Sequence, residues 1–188
     1  MIIFMSDIIC VTNRKLCRTD FLSKIEEIAK TGVSGIILRE KDLSGEEYKK
    51  LAQKVMKICK KYNTLCILHS FYEVAIQLES DAVHLPLPLL RKMTDEQKSN
   101  FRILGASCHS VEDALEAERL GCTYIIAGHI FATDCKKGVE PRGPEFLKDI
   151  CESVSIPVYA IGGINASNIE SVKNAGAKGG CIMSGFMR

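Results

Sequence analysis

The 188-residue sequence has no apolar run approaching the ~18 residues needed to cross a bilayer. It has no block of like charge and no basic stripe interleaved with aromatics, and its formal net charge is only +2. Neither nucleic acid nor a membrane is therefore expected as a partner. It has no C-x-x-C pair, although cysteines stand at 10, 17, 59, 66, 108, 122, 135, 151 and 181. A zinc site or a disulfide framework would show paired spacing. Most of these cysteines sit inside apolar runs such as IICVT, LCIL and GGCIM, where a thiol packs as a small hydrophobe. The expected setting is a reducing cytoplasm. The first residues, MIIFMSDIIC, lack a basic start and are interrupted by Ser6 and Asp7, so they do not read as a signal peptide.

What is present is one alternation, repeated. Short β-branched runs occur at Ile8–Thr12, Gly35–Arg39, Leu65–His69, Ala82–Leu85, Ile103–Ser107, Tyr124–Gly128, Pro157–Ile161 and Gly180–Met183. They are continuously apolar, as strands buried on both faces must be. Helical stretches lie between them. SGEE at Ser44 to Glu47 is a capping box. Ser110 caps VEDALEAERL, and Gly121 stops it; Gly176 stops NIESVKNA in the same way. Eight strand-helix units without a break in composition predict a single α/β domain over 1–188, a (β/α)8 TIM barrel, in preference to a doubly wound open sheet. SGFMR leaves room for only about one turn after the eighth run, so the eighth helix is expected to be missing or reduced. That side of the barrel would be partly uncovered, or covered by a partner subunit as in a homodimer.

Barrels do their chemistry at the C-terminal ends of their strands. The histidines of this chain, His69, His84, His109 and His129, all fall there. His84 and His109 read as satisfied structural residues. Arg39, Glu40 and Lys41 end the second run, and Ser107 ends the fifth. No metal ligand set is assigned, since Asp81 precedes its strand. AIGGIN places Gly162 and Gly163 after the seventh run, and Met183, Ser184 and Gly185 follow the eighth. Glycines there let backbone N–H groups approach an anion, and the loops after strands seven and eight commonly hold phosphate. Basic residues beyond His129 add long-range attraction for an anion. The residues thus point to a small phosphate ester bound beside a histidine, an arginine and a serine.

At ILREK (37–41), DAVHL (81–85), GASCHS (105–110), AGHIFATDCKKG (127–138), IPVYAIGGIN (156–165) and GGCIMSG (179–185) the chain resembles the thiamine phosphate synthase / TenI family, over nearly its whole length. The resemblance implies one of two activities. Synthases of the family join a pyrimidine diphosphate to a thiazole phosphate with Mg²⁺ assistance; tautomerases aromatise a thiazole carboxylate phosphate by a proton shift. Where the synthases carry aspartates after strands three and four, this chain has Ser70 and Leu89. Ile37 stands for their glutamine, His129 for their proline and Cys135 for their second threonine. GHIFATDCKKG is similar to the strand-six motif of the tautomerases. The resemblance therefore implies a thiazole tautomerase that needs no cofactor, with His129 as the catalytic proton carrier. His69, Thr133 and Lys136 join Arg39, Lys41, Ser107, Gly162, Gly163, Met183, Ser184 and Gly185 as expected contacts of a small thiazole phosphate ester. The alternatives are a thiamine phosphate synthase using Mg²⁺, or a phosphate-binding member of the family without turnover.

Overall fold

Strands whose two faces are both apolar need cover on both sides, and closing the sheet on itself supplies one of the two covers. The computed structural model describes residues 7–133 and 138–188. In it β1 (Ile8–Val11), β2 (Gly35–Leu38), β3 (Leu65–His69), β4 (Ala82–Pro86), β5 (Ile103–Cys108), β6 (Tyr124–Gly128), β7 (Val158–Ile161) and β8 (Gly179–Ile182) close into a barrel in chain order. All pairs are parallel, and β8 returns to β1 with Ile9 opposite Cys181. The expected (β/α)8 barrel is the observed fold.

Alternation along each strand sorts the side chains into two cores. Ile9, Val11, Ile37, Ile67, Ala82, Tyr124, Ile126 and Cys181 fill the barrel. Cys10, Ile36, Leu38, Leu68, Val83 and Leu85 point outward into the layer beneath the helices. Gly105 is small for a reason inside the barrel: a Cβ there would lie 2.2 Å from Cζ of Tyr124. The cysteines among the described residues are free thiols.

The helices are α1 (Phe21–Lys30), α2 (Gly45–Lys61), α3 (Tyr72–Gln77), α4 (Leu87–Leu90), α5 (Asp95–Lys98), α6 (Val111–Arg119), α7 (Gly143–Ser153), α8 (Ile169–Asn174) and α9 (Ser184–Met187). Helix α2 shows why they form. The Ser44–Glu47 capping box starts it, and Tyr48, Ala52, Val55 and Cys59 make one buried stripe. Ser110 caps α6 by accepting from the Asp113 amide. After β8 comes the single turn α9, with Met187 buried beneath it. Among the described residues no helix is long and apolar enough to cross a membrane.

Candidate functional site

The C-terminal ends of β1 and β2 are tied by a buried carboxylate. Glu40, 2% exposed, accepts from Thr12 Oγ1 at 2.7 Å, from the Arg14 amide at 3.0 Å and from Arg14 Nη1 at 3.1 Å. Thr12 Oγ1 in turn accepts from the Arg39 amide at 3.0 Å. The Arg14 guanidinium continues to Asp42 through two bonds of 2.6 and 2.7 Å, and this pairing holds the Asp42 carboxyl below its usual range. A threonine, a carboxylate and an arginine thereby fix the backbone that carries Arg39 and Lys41. Neither of those two cations has a hydrogen-bond or ion-pair partner among the described residues. The Lys41 ammonium is pushed below its usual range, by burial first and then by the neighbouring Arg39 charge.

Next to these cations lie two histidines kept neutral. His69 is buried, and its Nδ1 meets Ser70 Oγ at 2.7 Å. Burial, then His84, Lys41 and Arg39, push it down to about 2. Its backbone is anchored by Tyr48, whose hydroxyl accepts from the His69 amide at 2.8 Å and donates to the Leu38 carbonyl at 2.7 Å. The His84 ring lies 5.7 Å from that of His69 and is pushed down to about 3 by burial and then by Lys41. Its Nδ1 meets the Tyr124 hydroxyl at 3.0 Å and its Nε2 meets Ser107 Oγ at 2.9 Å. Both rings therefore enter the site as neutral hydrogen-bonding groups.

The side formed by β6, β7 and β8 is built from backbone. Gly162 and Gly163 have φ of +99° and +67°. A Cβ on Gly162 would lie 2.3 Å from Cβ of His129, and one on Gly163 would lie 2.5 Å from the Ala132 carbonyl oxygen. The loop after β6 rests directly on these glycines: the Ile130 amide donates to the Ile161 carbonyl at 2.9 Å, and the Phe131 amide donates to the Gly162 carbonyl at 3.0 Å. The glycine pair thus has a packing reason in addition to the expected approach of an anion. His129 is 4% exposed, and its Nε2 lies 3.3 Å from the Val139 carbonyl of its own loop. The Arg142 amide donates to the His129 carbonyl at 3.1 Å.

The structure gathers Arg39, Lys41, His69, Ser107, Gly162, Gly163, Met183, Ser184 and Gly185 at one mouth of the barrel, where they end or follow β2, β3, β5, β7 and β8. Thr133 follows β6 and is half-buried. Lys136 and Cys135 lie outside the described residues. His109 Nδ1 meets the Gly128 carbonyl at 2.9 Å, whereas His84 stands between Tyr124 and the site residue Ser107. Thr12, Arg14 and Tyr124 were not picked out from the sequence, and Glu40 only as a polar residue at the end of the second run. Their partners are 26 to 40 positions away.

Mg²⁺, which the resemblance associates with synthases, does not fit the side chains here. No group of three His, Cys, Asp or Glu among the described residues could hold a metal ion. Glu40 is occupied by Thr12 and Arg14, and Asp42 by Arg14 and Lys15.

Comparison with known proteins assigns the chain to a lineage. Residues 8–186 match the family described as Thiamine monophosphate synthase. The thiamine-phosphate synthase of Fusobacterium nucleatum is 40% identical over 94% of this chain and 87% of its own. That of Clostridium acetobutylicum is 38% identical over 94% and 85%. Among solved structures, thiamine phosphate pyrophosphorylase from Pyrococcus furiosus superposes with a TM-score of 0.82 at 32% identity, over 96% of this chain and 87% of that one. These relatives are named as synthases, which overturns the expectation of an isomerase of the thiazole tautomerase kind. That expectation rested on the departures at Ile37, Ser70 and Leu89 together with the motif of the β6 loop, in which His129 Nε2 lies 3.3 Å from the Val139 carbonyl.

Proposed function

This chain belongs to the thiamine monophosphate synthase family, and on that premise we propose that it is a transferase of the thiamine-phosphate synthase kind. It would join a pyrimidine diphosphate to a thiazole phosphate and release pyrophosphate. The observation that carries this reading is the pair Arg39 and Lys41, two adjacent cations at the barrel mouth with no carboxylate partner among the described residues. In the reaction the carbon–oxygen bond to the diphosphate breaks, its electron pair leaves with pyrophosphate, and the thiazole nitrogen forms the new carbon–nitrogen bond. Negative charge grows on the leaving group. Cations held beside it by a fixed backbone stabilise that growth without having to reorganise. The Thr12–Glu40–Arg14 lattice supplies the fixed backbone. His69 and Ser107 offer neutral polar contacts beside it, and Met183 follows β8. The phosphate of the thiazole partner would rest on the backbone of Gly162, Gly163, Ser184 and Gly185, with Thr133 following β6.

The test is to supply both half-substrates, with and without Mg²⁺, and to measure thiamine phosphate and pyrophosphate. Stoichiometric release of both is expected. No product under any condition would overturn the transferase reading. A second reading, a family member that binds a phosphate ester without turnover, draws on Ser70. Its hydroxyl is bonded to His69 where the synthases carry an aspartate. Calorimetric binding of thiazole phosphate without product would favour it.

A further inference from the structure

Below the rim of the site, Tyr124, His84 and Ser107 form one hydrogen-bonded chain across β6, β4 and β5. Its direction can be worked out. The Tyr124 hydroxyl is buried, and its single hydrogen-bond partner among the described residues is His84 Nδ1, at 3.0 Å. If Nδ1 carried the proton, it would donate to the phenol oxygen, and the phenol hydrogen would be buried without an acceptor. A buried unpaired donor is the costlier arrangement. Tyr124 therefore donates, Nδ1 accepts, and the proton of the neutral ring sits on Nε2. Nε2 then donates to Ser107 Oγ at 2.9 Å. With its oxygen engaged as acceptor, the half-buried Ser107 hydroxyl has its own hydrogen left to give.

The surroundings keep the ring neutral and the phenol in place. Burial and the Lys41 charge both disfavour an imidazolium at His84, and the facing His69 ring is likewise neutral. Burial raises the Tyr124 phenol well above its usual range, so it stays protonated. The Tyr124 ring is seated over Gly105 and meets Tyr159 edge-on at 6.0 Å.

We propose that Tyr124 is a positioning residue that, through the tautomer of His84, presents Ser107 as a hydrogen-bond donor to a phosphoryl oxygen bound at the barrel mouth. This rests on the site's taking a phosphorylated ligand, as the transferase reading requires. It makes Ser107 selective for acceptors: an anionic oxygen is favoured there, and a ligand group that must itself donate is not.

Two measurements test it on the full chain. In native protein labelled with ¹⁵N-histidine, two-bond ¹H–¹⁵N spectra at neutral pH should show His84 protonated at Nε2 and bare at Nδ1; the opposite pattern overturns the proposal. Inorganic pyrophosphate is the binding probe. Tyr124→Phe keeps the ring and loses the donor, and Ser107→Ala removes the hydroxyl. Each should raise the pyrophosphate Kd about ten-fold, as expected for one hydrogen bond to a charged group. The double variant should bind as weakly as either single one, because both remove the same contact. Additive losses, or a Tyr124→Phe protein that binds like the native one, would refute the link, as would native protein that fails to bind pyrophosphate. If Tyr124→Phe does not fold, the native spectrum still decides. Neither readout needs turnover, so failure of thiamine phosphate formation would count against the transferase reading alone.

Discussion

The two halves of the barrel mouth are built by opposite means. Across β1 to β4 the site is made of side chains: Glu40 ties down Thr12 and Arg14, Arg39 and Lys41 supply charge, and His69 and His84 are held neutral. Across β6 to β8 it is made of backbone, with Gly162 and Gly163 in left-handed conformations beneath the β6 loop. Side chains can aim charge at a leaving group, but each buried charge needs a partner. Backbone amides give a rigid anion seat without burying a charge, but they tolerate no side chain where the chain passes close.

That contrast can be broken at several points. The largest effect is expected at Glu40. Replacing it with alanine leaves Thr12, the Arg14 amide and part of the Arg14 guanidinium without their acceptor, which should cost about 3–5 kcal/mol in urea unfolding, as for one partner removed from a buried pair. Asp42→Ala, at an exposed partner of the same arginine, should cost far less. Equal losses at the two carboxylates would show that burial does not set the strength of this half.

The histidines make the same half sensitive to acid. His69 and His84 are neutral in the fold, whereas in the unfolded chain they take up protons below about pH 6.5. The unfolded state binds more protons there, so stability is full above that pH and is lost as the pH falls. Between pH 7 and 5 the loss should be about 4 kcal/mol for the two rings together. This window lies above the range where the carboxylates titrate. Unfolding free energies that stay flat across it would mean that the rings accept protons inside the barrel.

On the backbone half, Gly163→Ala should destabilise by about 2 kcal/mol, from the positive φ and the 2.5 Å approach to the Ala132 carbonyl oxygen. A melting temperature unchanged from native would remove the packing role argued for that glycine. The smallest expected effect belongs to Arg39→Ala. It should weaken pyrophosphate binding about ten-fold, or ~1.4 kcal/mol, while leaving stability almost untouched. Native affinity in that variant would place the anion on the backbone half alone.

Much of the fold was legible because each strand is short, β-branched and buried on both faces. Such runs stand out between capped helices such as the Ser44–Glu47 box. Strand boundaries shifted only by one or two residues, as at Arg39, which follows β2. The short helices α4 and α5 left a weaker trace, since four residues carry too little periodicity to read. In the site, Arg39, Lys41, Ser107 and the glycine pairs could be found from their places at strand ends. The partners that give them meaning could not. Thr12 and Glu40 are 28 positions apart, and His84 and Tyr124 are 40 apart. The tautomerase expectation failed for another reason: the departures at Ile37, Ser70 and Leu89 and one loop motif were weighed above a similarity to synthases that runs over nearly the whole chain.

By itself the sequence determined the alternation of strand and helix, and therefore the barrel and the mouth at which polar residues collect. Periodicity and capping act over a few residues, so they are written locally. The tertiary structure alone decided which of those residues are bound to one another. Barrel closure brings β4 beside β5 and β5 beside β6, which sets the Tyr124 hydroxyl on one side of His84 and Ser107 on the other. Hydrogen-bond direction and the neutrality of a buried ring depend on partners and on distance from water, and both come into existence only when the barrel closes.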